Sequence, residues 1–453
     1  MQISPHQIQK EAPRIIIDGV FFQIASSGIT RVWRSLLQEW VKNGFAEYLI
    51  LLDRDSTAPQ ITGLTYHSTH RYDESNSAKD SFLLQEICDR YQADLFISTY
   101  YTTPISTPGV LLVHDMIPEA IGADLTAAVW QEKSYAIYYA ARYIAVSENT
   151  ARDLHRFYPQ ISTSTITVAH CGIDPLFIPS EKREIKEFCT TYQITKPYFI
   201  IVGNRVGLDG YKNGLHTFRA LSQLPDLEQF EIVCTGGNPI LETEFADLTQ
   251  GIKVHQLSLS NQDLQVAYSG AIALIYPSCY EGFGLPILEA MACGCPTITC
   301  RNSSLPEVAG DAAIYVGETD LGDLIAALHQ VQQPEVRLPL IAMGLSQSKC
   351  FSWIKMADII SQVLLDTYAD IQSDELQVSP KLSWAQFRQA VLQEQQKLVD
   401  VEAQLATSQA QLTTSQGQLT IAMMQINSME STKFWKLRQR WFELKEILRL
   451  KRE

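Results

Sequence analysis

With 453 residues the chain is too long for one ordinary core, so two or three domains are expected. A hydrophobic share of 46% is ample for packed domains and excludes wholesale disorder. A net charge of −14 excludes a general nucleic-acid binder, because phosphate backbones would be repelled.

Residues 1–13 read as a polar arm, and "MQISPHQIQK" lacks the charged-then-apolar layout of a signal peptide. From Arg14 the runs "RIIIDG", "EYLILLDR", "ADLFIST", "GVLLVHD" and "RYIAVSE" are apolar without alternation. They predict parallel strands covered on both faces. Mixed segments between them, such as "ITRVWRSLLQEWVKNG", suit helices and make residues 14–180 an α/β domain. After the charged stretch "PSEKREIKEFCTTYQI" the pattern restarts over 181–350 with "YFIIVGNR", "FEIVCTGG", "IKVHQL", "AIALIYPS", "PTITC" and "AAIYVG". Two doubly wound, Rossmann-like domains would leave a cleft at the carboxyl ends of their strands, where such sheets bind ligands. No run of eighteen apolar residues suggests a membrane span. The nine cysteines form no CxxC pair and read as buried thiols in a reducing cytoplasm. Cys293 and Cys295 lack partners at zinc spacing.

A closing helix is expected over 351–369 and a polar linker over 370–385. Over 386–430, Leu398, Leu405, Leu412, Leu419 and Ile426 recur every seven residues, which is coiled-coil spacing. Ser408, Ser415 and Ala422 thin that seam, so a lone helix or loose self-association stays open. Residues 431–453 place Phe434, Leu437, Trp441, Leu444 and Leu448 on one helical face and carry net +5, against −19 for the rest. A basic amphipathic helix of this kind suits an anionic membrane surface, or docking on a protein.

The stretch "YPSCYEGFGLPILEAMACGCPTIT" puts Glu281 and Glu289 eight residues apart. Its pattern is strand, glycine turn, helix: Pro286 fits a first turn, and Gly294 and Pro296 end the element. Free N–H groups at the helix start and its dipole would make an anion site suited to a diphosphate. Carboxylates grip paired hydroxyls, so Glu289 could hold a ribose and Glu281 a transferred sugar. The alternative is an exposed Glu289 and a merely capping Glu281. Ser304 and Glu307 have capping-box spacing.

These residues resemble the retaining glycosyltransferases of family 4, which have the GT-B fold: two glutamates with seven residues between, set in "EGFGLPILEAMACGCPTIT" and followed by "SSLPEVAGDAA". The resemblance covers residues 14 to about 368 and leaves the tail outside. It implies Glu281, His114, Arg205 and Lys212 as catalytic residues. Glu289, Gly282, Phe283, Gly284, Leu285, Gly28 and Asn213 would bind the donor, with no metal and no cofactor. In "VGNRVGLDGYKNG", Arg205 and Lys212 would face the diphosphate. In "VHDMIPE", His114 would steady the sugar or help the acceptor proton, while Asp115 could simply cap a helix. Asp53-Arg54-Asp55 matches a metal-binding Asp-x-Asp pattern of another fold but lacks supporting context. "GNPI" and "HQLS" would border the base.

The wording "HDMIPE" and "YEGFGLP" is similar to mannosyltransferases using GDP-mannose, with a UDP-hexose as the alternative donor. The implied acceptor is a glycan or lipid-linked glycan, and the tail suits a cytoplasmic enzyme peripheral on the inner face of the plasma membrane. Two other classes stay open: a catalytically weak glycan- or nucleotide-binding scaffold working through its tail, and a nucleotide-sugar epimerase.

Overall fold

The computed structural model describes residues 12–25, 27–205, 210–237, 240–249, 251–373 and 381–451. Seven strands form the first sheet: β1 (Ile15–Asp18), β2 (Leu49–Arg54), β3 (Thr65–Thr69), β4 (Leu95–Ser98), β5 (Gly109–Val113), β6 (Arg142–Ala145) and β7 (Ile166–Val168). Their order is β3-β2-β1-β4-β5-β6-β7, and every pairing is parallel. Six more build the second: β8 (Tyr198–Val202), β9 (Glu231–Thr235), β10 (Lys253–Leu257), β11 (Leu274–Tyr276), β12 (Thr297–Cys300) and β13 (Ala313–Val316). That order is β10-β9-β8-β11-β12-β13, again all parallel. Both sheets are α/β and doubly wound, as the continuous apolar runs imply. Sequence reading passed over β3 and β7, because "TYHST" and "ITV" are short, partly polar strands on sheet edges.

The helix Gly28–Asn43 shows how the layers join. Ser27 starts it through a capping box with Thr30, and Gly44 ends it at φ 84°. Val32, Trp33, Leu36, Leu37 and Trp40 recur at helical spacing and are fully or almost fully buried. The helix Trp353–Gln372 packs on that helix, and Trp40 Nε1 donates to Ala357 O at 3.2 Å. Arg142 and Asp370 add an ion pair at 2.7 Å. So the last helix of the compact unit returns to the first domain. It can do so because residue 172 is glycine: a Cβ there would lie 2.0 Å from the Trp353 nitrogen.

That helix runs past the expected 369 to Gln372, and the next starts at Lys381 rather than 386. Trp384 explains the early start. Its ring packs on Tyr135 (6.3 Å) and Tyr139 (5.3 Å), and its Nε1 donates to Pro104 O at 3.3 Å.

The chain divides into two compact units, Met1–Gln386 and Phe387–Glu453. The second contains most of the 51-residue helix Lys381–Ser431, then Lys433–Leu450, capped by Thr432. Leu405, Leu412, Leu419 and Ile426 are exposed, as are Phe434, Leu437, Trp441, Leu444 and Leu448; the Leu398 side chain lies outside the described residues. No described helix is long and apolar enough to cross a membrane. All nine cysteines are free thiols: Cys350 is exposed, Cys189 and Cys279 are half-buried, and the other six are buried.

Candidate active site

Each sheet reverses its strand order once, between β1 and β4 in the first and between β8 and β11 in the second. A crevice opens at such a point because the flanking connections leave in opposite directions. At the second, Gly203, Asn204, Arg205, Lys212, Tyr276 and Pro277 line a recess. The Cys279 amide donates to Tyr211 O at 2.8 Å, which ties the 210–213 loop to the turn after β11. This places Lys212 on Glu281: the two form an ion pair, and Tyr276 Oη joins them, donating to Glu281 at 2.7 Å and lying 2.8 Å from Lys212 Nζ. Burial and the Glu281 charge push the Tyr276 phenol well up, so it stays protonated and remains a donor.

Arg205 lines the same recess, almost wholly buried, but its charge is committed. Nε lies 3.1 Å from Glu242 and Nη1 3.1 Å from Gly236 O. Sequence reading missed Glu242, thirty-seven residues away, since nothing local marks that pairing. Residues 206–209 lie outside the described residues. Asn213 sits at φ 58° at the start of the helix Gly214–Leu221, and its amide donates to Glu318 O at 2.6 Å. That side chain serves the loop rather than the recess.

The turn Glu281–Gly284 meets the first domain across the cleft. Gly282 O accepts from Ser147 Oγ (2.7 Å) and Thr150 Oγ1 (3.1 Å), while Tyr280 Oη donates to Asp153 at 2.5 Å. A Cβ on Gly282 would lie 1.9 Å from His114 O, so only glycine permits this approach. The capping box expected from Ser304 and Glu307 does not form. Ser304 Oγ instead lies 2.9 Å from both Glu281 O and Phe283 O and braces the turn. Phe283 packs against Phe351 at 5.6 Å and His170 at 6.2 Å.

Gly284, at φ 107°, leads into the helix Leu285–Ala292, which has no side-chain cap. A Cβ on Gly28 would be 3.4 Å from Leu285 Cδ1, so the two helix starts come together. Glu289 is neither exposed nor open. It is 2% exposed, pairs with Arg31 of the opposite domain, and accepts from Tyr268 Oη at 3.3 Å. Any ligand hydroxyls at Glu289 would share it with Arg31, a residue the sequence pattern did not single out.

His114 is buried beside the turn, and its Nε2 has no partner among the described residues. Burial pushes its pKa down to about 4, with Asp115 opposing only in part. The ring is therefore neutral at physiological pH and a weak base. Positioning suits it better than taking a proton. Asp115 accepts at 3.0 Å from the amide of Ile117, the first residue of the next helix, whose N-cap is Met116.

Other sequence candidates have structural partners. Asp53 accepts from the Ala58 amide at 2.9 Å and Gln60 at 3.2 Å, and Arg54 is buried between Asp18 and Asp80. His255, expected near a base, is buried and paired with Glu231 at 2.7 Å. Of "GNPI", Asn238 and Pro239 lie outside the described residues.

Glu307 forms a second bridge between the domains. It pairs with His170 and accepts from the Glu148 amide (2.7 Å) and Asn149 amide (3.3 Å). Burial works against its charge, yet these hydrogen bonds hold the carboxyl below its ordinary range. A depressed pKa gives a contribution present above the unfolded value and lost as pH falls through the folded one. Thermal stability should therefore drop more steeply below about pH 4.5 in the native chain than in Glu307→Gln, which lacks the titrating bridge. Parallel curves for the two proteins would remove the bridge from the account.

Two family models match the chain: glycosyltransferase family 4 over residues 26–176, and glycosyl transferases group 1 over residues 196–333. O-antigen chain mannosyltransferase B of Escherichia coli is 47% identical over 95 residues, which is 20% of this chain and 25% of that protein. The MMP alpha-(1->4)-mannosyltransferase of Mycolicibacterium hassiacum is 29% identical over 239 residues, covering 49% of this chain and 56% of that one. The chain thus spans between a quarter and just over half of these relatives. Among solved structures, WaaG, a glycosyltransferase involved in lipopolysaccharide biosynthesis, aligns with TM-score 0.62 at 14% identity, over 77% of this chain and 99% of that one. The fold is GT-B, with a helical tail beyond it.

Proposed function

We propose that this GT-B chain, matched by glycosyltransferase models in both sheet domains, transfers a hexose from a nucleotide sugar to a glycan with retention of anomeric configuration. The observation that carries the reading is the Lys212–Glu281–Tyr276 cluster at the second sheet's reversal, held against His114 by the Gly282 turn. In the reaction the acceptor oxygen bonds to the anomeric carbon on the face the diphosphate leaves. The carbon–oxygen bond to phosphate breaks with its electron pair going to the diphosphate, and the hydroxyl proton passes to a phosphate oxygen. Lys212, the uncapped helix start and, once turned from Glu242, Arg205 would stabilise the charge gathering on that diphosphate. Glu281 and neutral His114 would orient the sugar, and Glu289 the ribose.

The donor proposed is GDP-mannose, which the mannosyltransferase names of two relatives favour, and the setting is cell-surface polysaccharide synthesis. The exposed basic end of the tail, with Trp441 and Phe442 among its cations, would rest on the inner membrane face. The heptad-patterned helix before it would serve self-association. Thermal unfolding with GDP, UDP, ADP and dTDP tests the donor. The right nucleotide at a hundred times its dissociation constant should add about 2.7 kcal/mol, and Glu289→Ala should weaken that shift. A shift with UDP alone would replace mannose by a UDP-hexose. No shift at millimolar concentration would favour a non-catalytic scaffold.

A further inference from the structure

The Glu289 carboxylate lies one turn into the helix Leu285–Ala292, almost wholly buried, and each of its oxygens has a neighbour. Oε2 accepts from Tyr268 Oη at 3.3 Å, and Oε1 is ion-paired with Arg31. The Arg31 contact supplies charge only, since Oε1 has no hydrogen-bond partner among the described residues. A buried acceptor in that state is unfavourable, and an O–H group brought to it would satisfy it.

The two neighbours differ in how readily they leave. Tyr268 belongs to the same domain as Glu289, on the helix Asn261–Gly270, and is fully buried. Burial pushes its phenol well up, so it stays a donor to the carboxylate. Arg31 comes from the other domain, on the helix Gly28–Asn43, and its side chain is 25% exposed. Two groups between the sheets lie beside it. The Phe177 ring is 5.8 Å from its guanidinium carbon, and the Asp174 charge offsets part of the burial that lowers its pKa. A guanidinium withdrawn from Glu289 would thus keep an aromatic face and a negative charge nearby.

We infer that Arg31 stands in for the donor ribose in the empty cleft: it occupies Glu289 from the opposite domain, and the nucleotide's 2′- and 3′-hydroxyls displace it on binding. The inference rests on the transferase reading, in which Glu289 holds the ribose, and deepens it by making Arg31 a residue that sets donor affinity. A carboxylate that is 2% exposed has no room for guanidinium and diol together, so sharing becomes exchange. The hydroxyls prevail because they bring Oε1 the hydrogen bond that Arg31 does not. Breaking the ion pair opposes binding, so a ribonucleotide binds less tightly than Glu289 alone would allow. The same exchange releases one tie between the two domains as the donor enters.

Titration calorimetry on the full chain tests this without an acceptor. The probes are GDP, UDP and ADP, each beside its 2′,3′-dideoxy analogue. A ribonucleotide that binds the native chain should bind Arg31→Met at least about fivefold more tightly. Its dideoxy analogue, with no hydroxyls to displace Arg31, should bind both proteins within about twofold, which also shows that the variant folds. Arg31→Lys keeps the charge but not the planar fork and should fall between the two. If Arg31→Met failed to fold, Arg31→Lys would carry the same comparison. Unchanged or weaker ribonucleotide binding in the variants, or an equal gain for the dideoxy analogue, would overturn the inference. Binding of none of the three ribonucleotides by the native chain would instead strike the transferase reading with its ribose at Glu289, so the two failures are separable.

Discussion

Gly282→Ala should lower kcat/KM for sugar transfer by at least about a hundredfold, the scale expected when a reacting group is displaced by about an ångström. The added carbon would meet His114 O at 1.9 Å and Asp115 Cβ at 2.7 Å. Backbone cannot yield there as a flexible side chain would. The turn would back away, taking Glu281 from His114 and disturbing the Ser147 and Thr150 bonds to Gly282 O. Stability should fall too, by about 1–3 kcal/mol as in other overpacked sites. Steady-state kinetics beside a melting curve separates the two effects. Near-native kcat/KM in the alanine variant would mean that closeness between the turn and His114 is not needed for transfer.

Arg54→Met should be the most destabilising single change outside the site, at about 3–5 kcal/mol by denaturant unfolding. The guanidinium is fully buried, with both Asp18 oxygens at 2.7 and 2.8 Å and both Asp80 oxygens at 2.8 Å. Burial alone would lower its pKa, but these carboxylates raise it above the ordinary value. Removing the cation strands Asp18 at the end of β1 and the largely covered Asp80 on the helix Ser77–Tyr91. Adding Asp18→Asn and Asp80→Asn should recover part of the loss, because the remaining groups are then neutral. A loss below about 1 kcal/mol for Arg54→Met alone would show that water reaches the aspartates. Since Asp18 also accepts from Thr102 at 2.5 Å, the same change should loosen the segment after β4.

The two sheets were legible in advance because a strand covered on both faces must be continuously apolar, as β5 and β8 are, and eleven of the thirteen strands lie in the runs read from the sequence. The glycine turn and its helix were legible for the same local reason: Gly284, Pro286 and Gly294 act on the backbone within a few residues. What stayed hidden are pairings between distant parts of the chain. Arg31 on Glu289, Glu242 on Arg205 and Glu307 on the Glu148 amide each join residues 37 or more positions apart. Ser304 and Glu307 show the limit well. Their spacing satisfies a local motif, yet each side chain makes a longer-range contact instead. A recess of the first domain lined by Val20, Tyr72, Tyr100 and Glu132 was invisible for a related reason, since those residues meet only once strand order is known.

The thiols divide the chain into a chemically silent interior and a single outlying reporter position. Burial pushes Cys88, Cys234, Cys295 and Cys300 up to about 12, and Cys171 and Cys293 higher still, so none of these six offers much thiolate to an electrophile at neutral pH. Cys189 and Cys279 are half-covered and also shifted upward. Cys350 is exposed and stands just before the helix that carries the chain back to its first domain. Cys350 is thus the thiol that a maleimide should reach first, and a label there would sit beside the crossover.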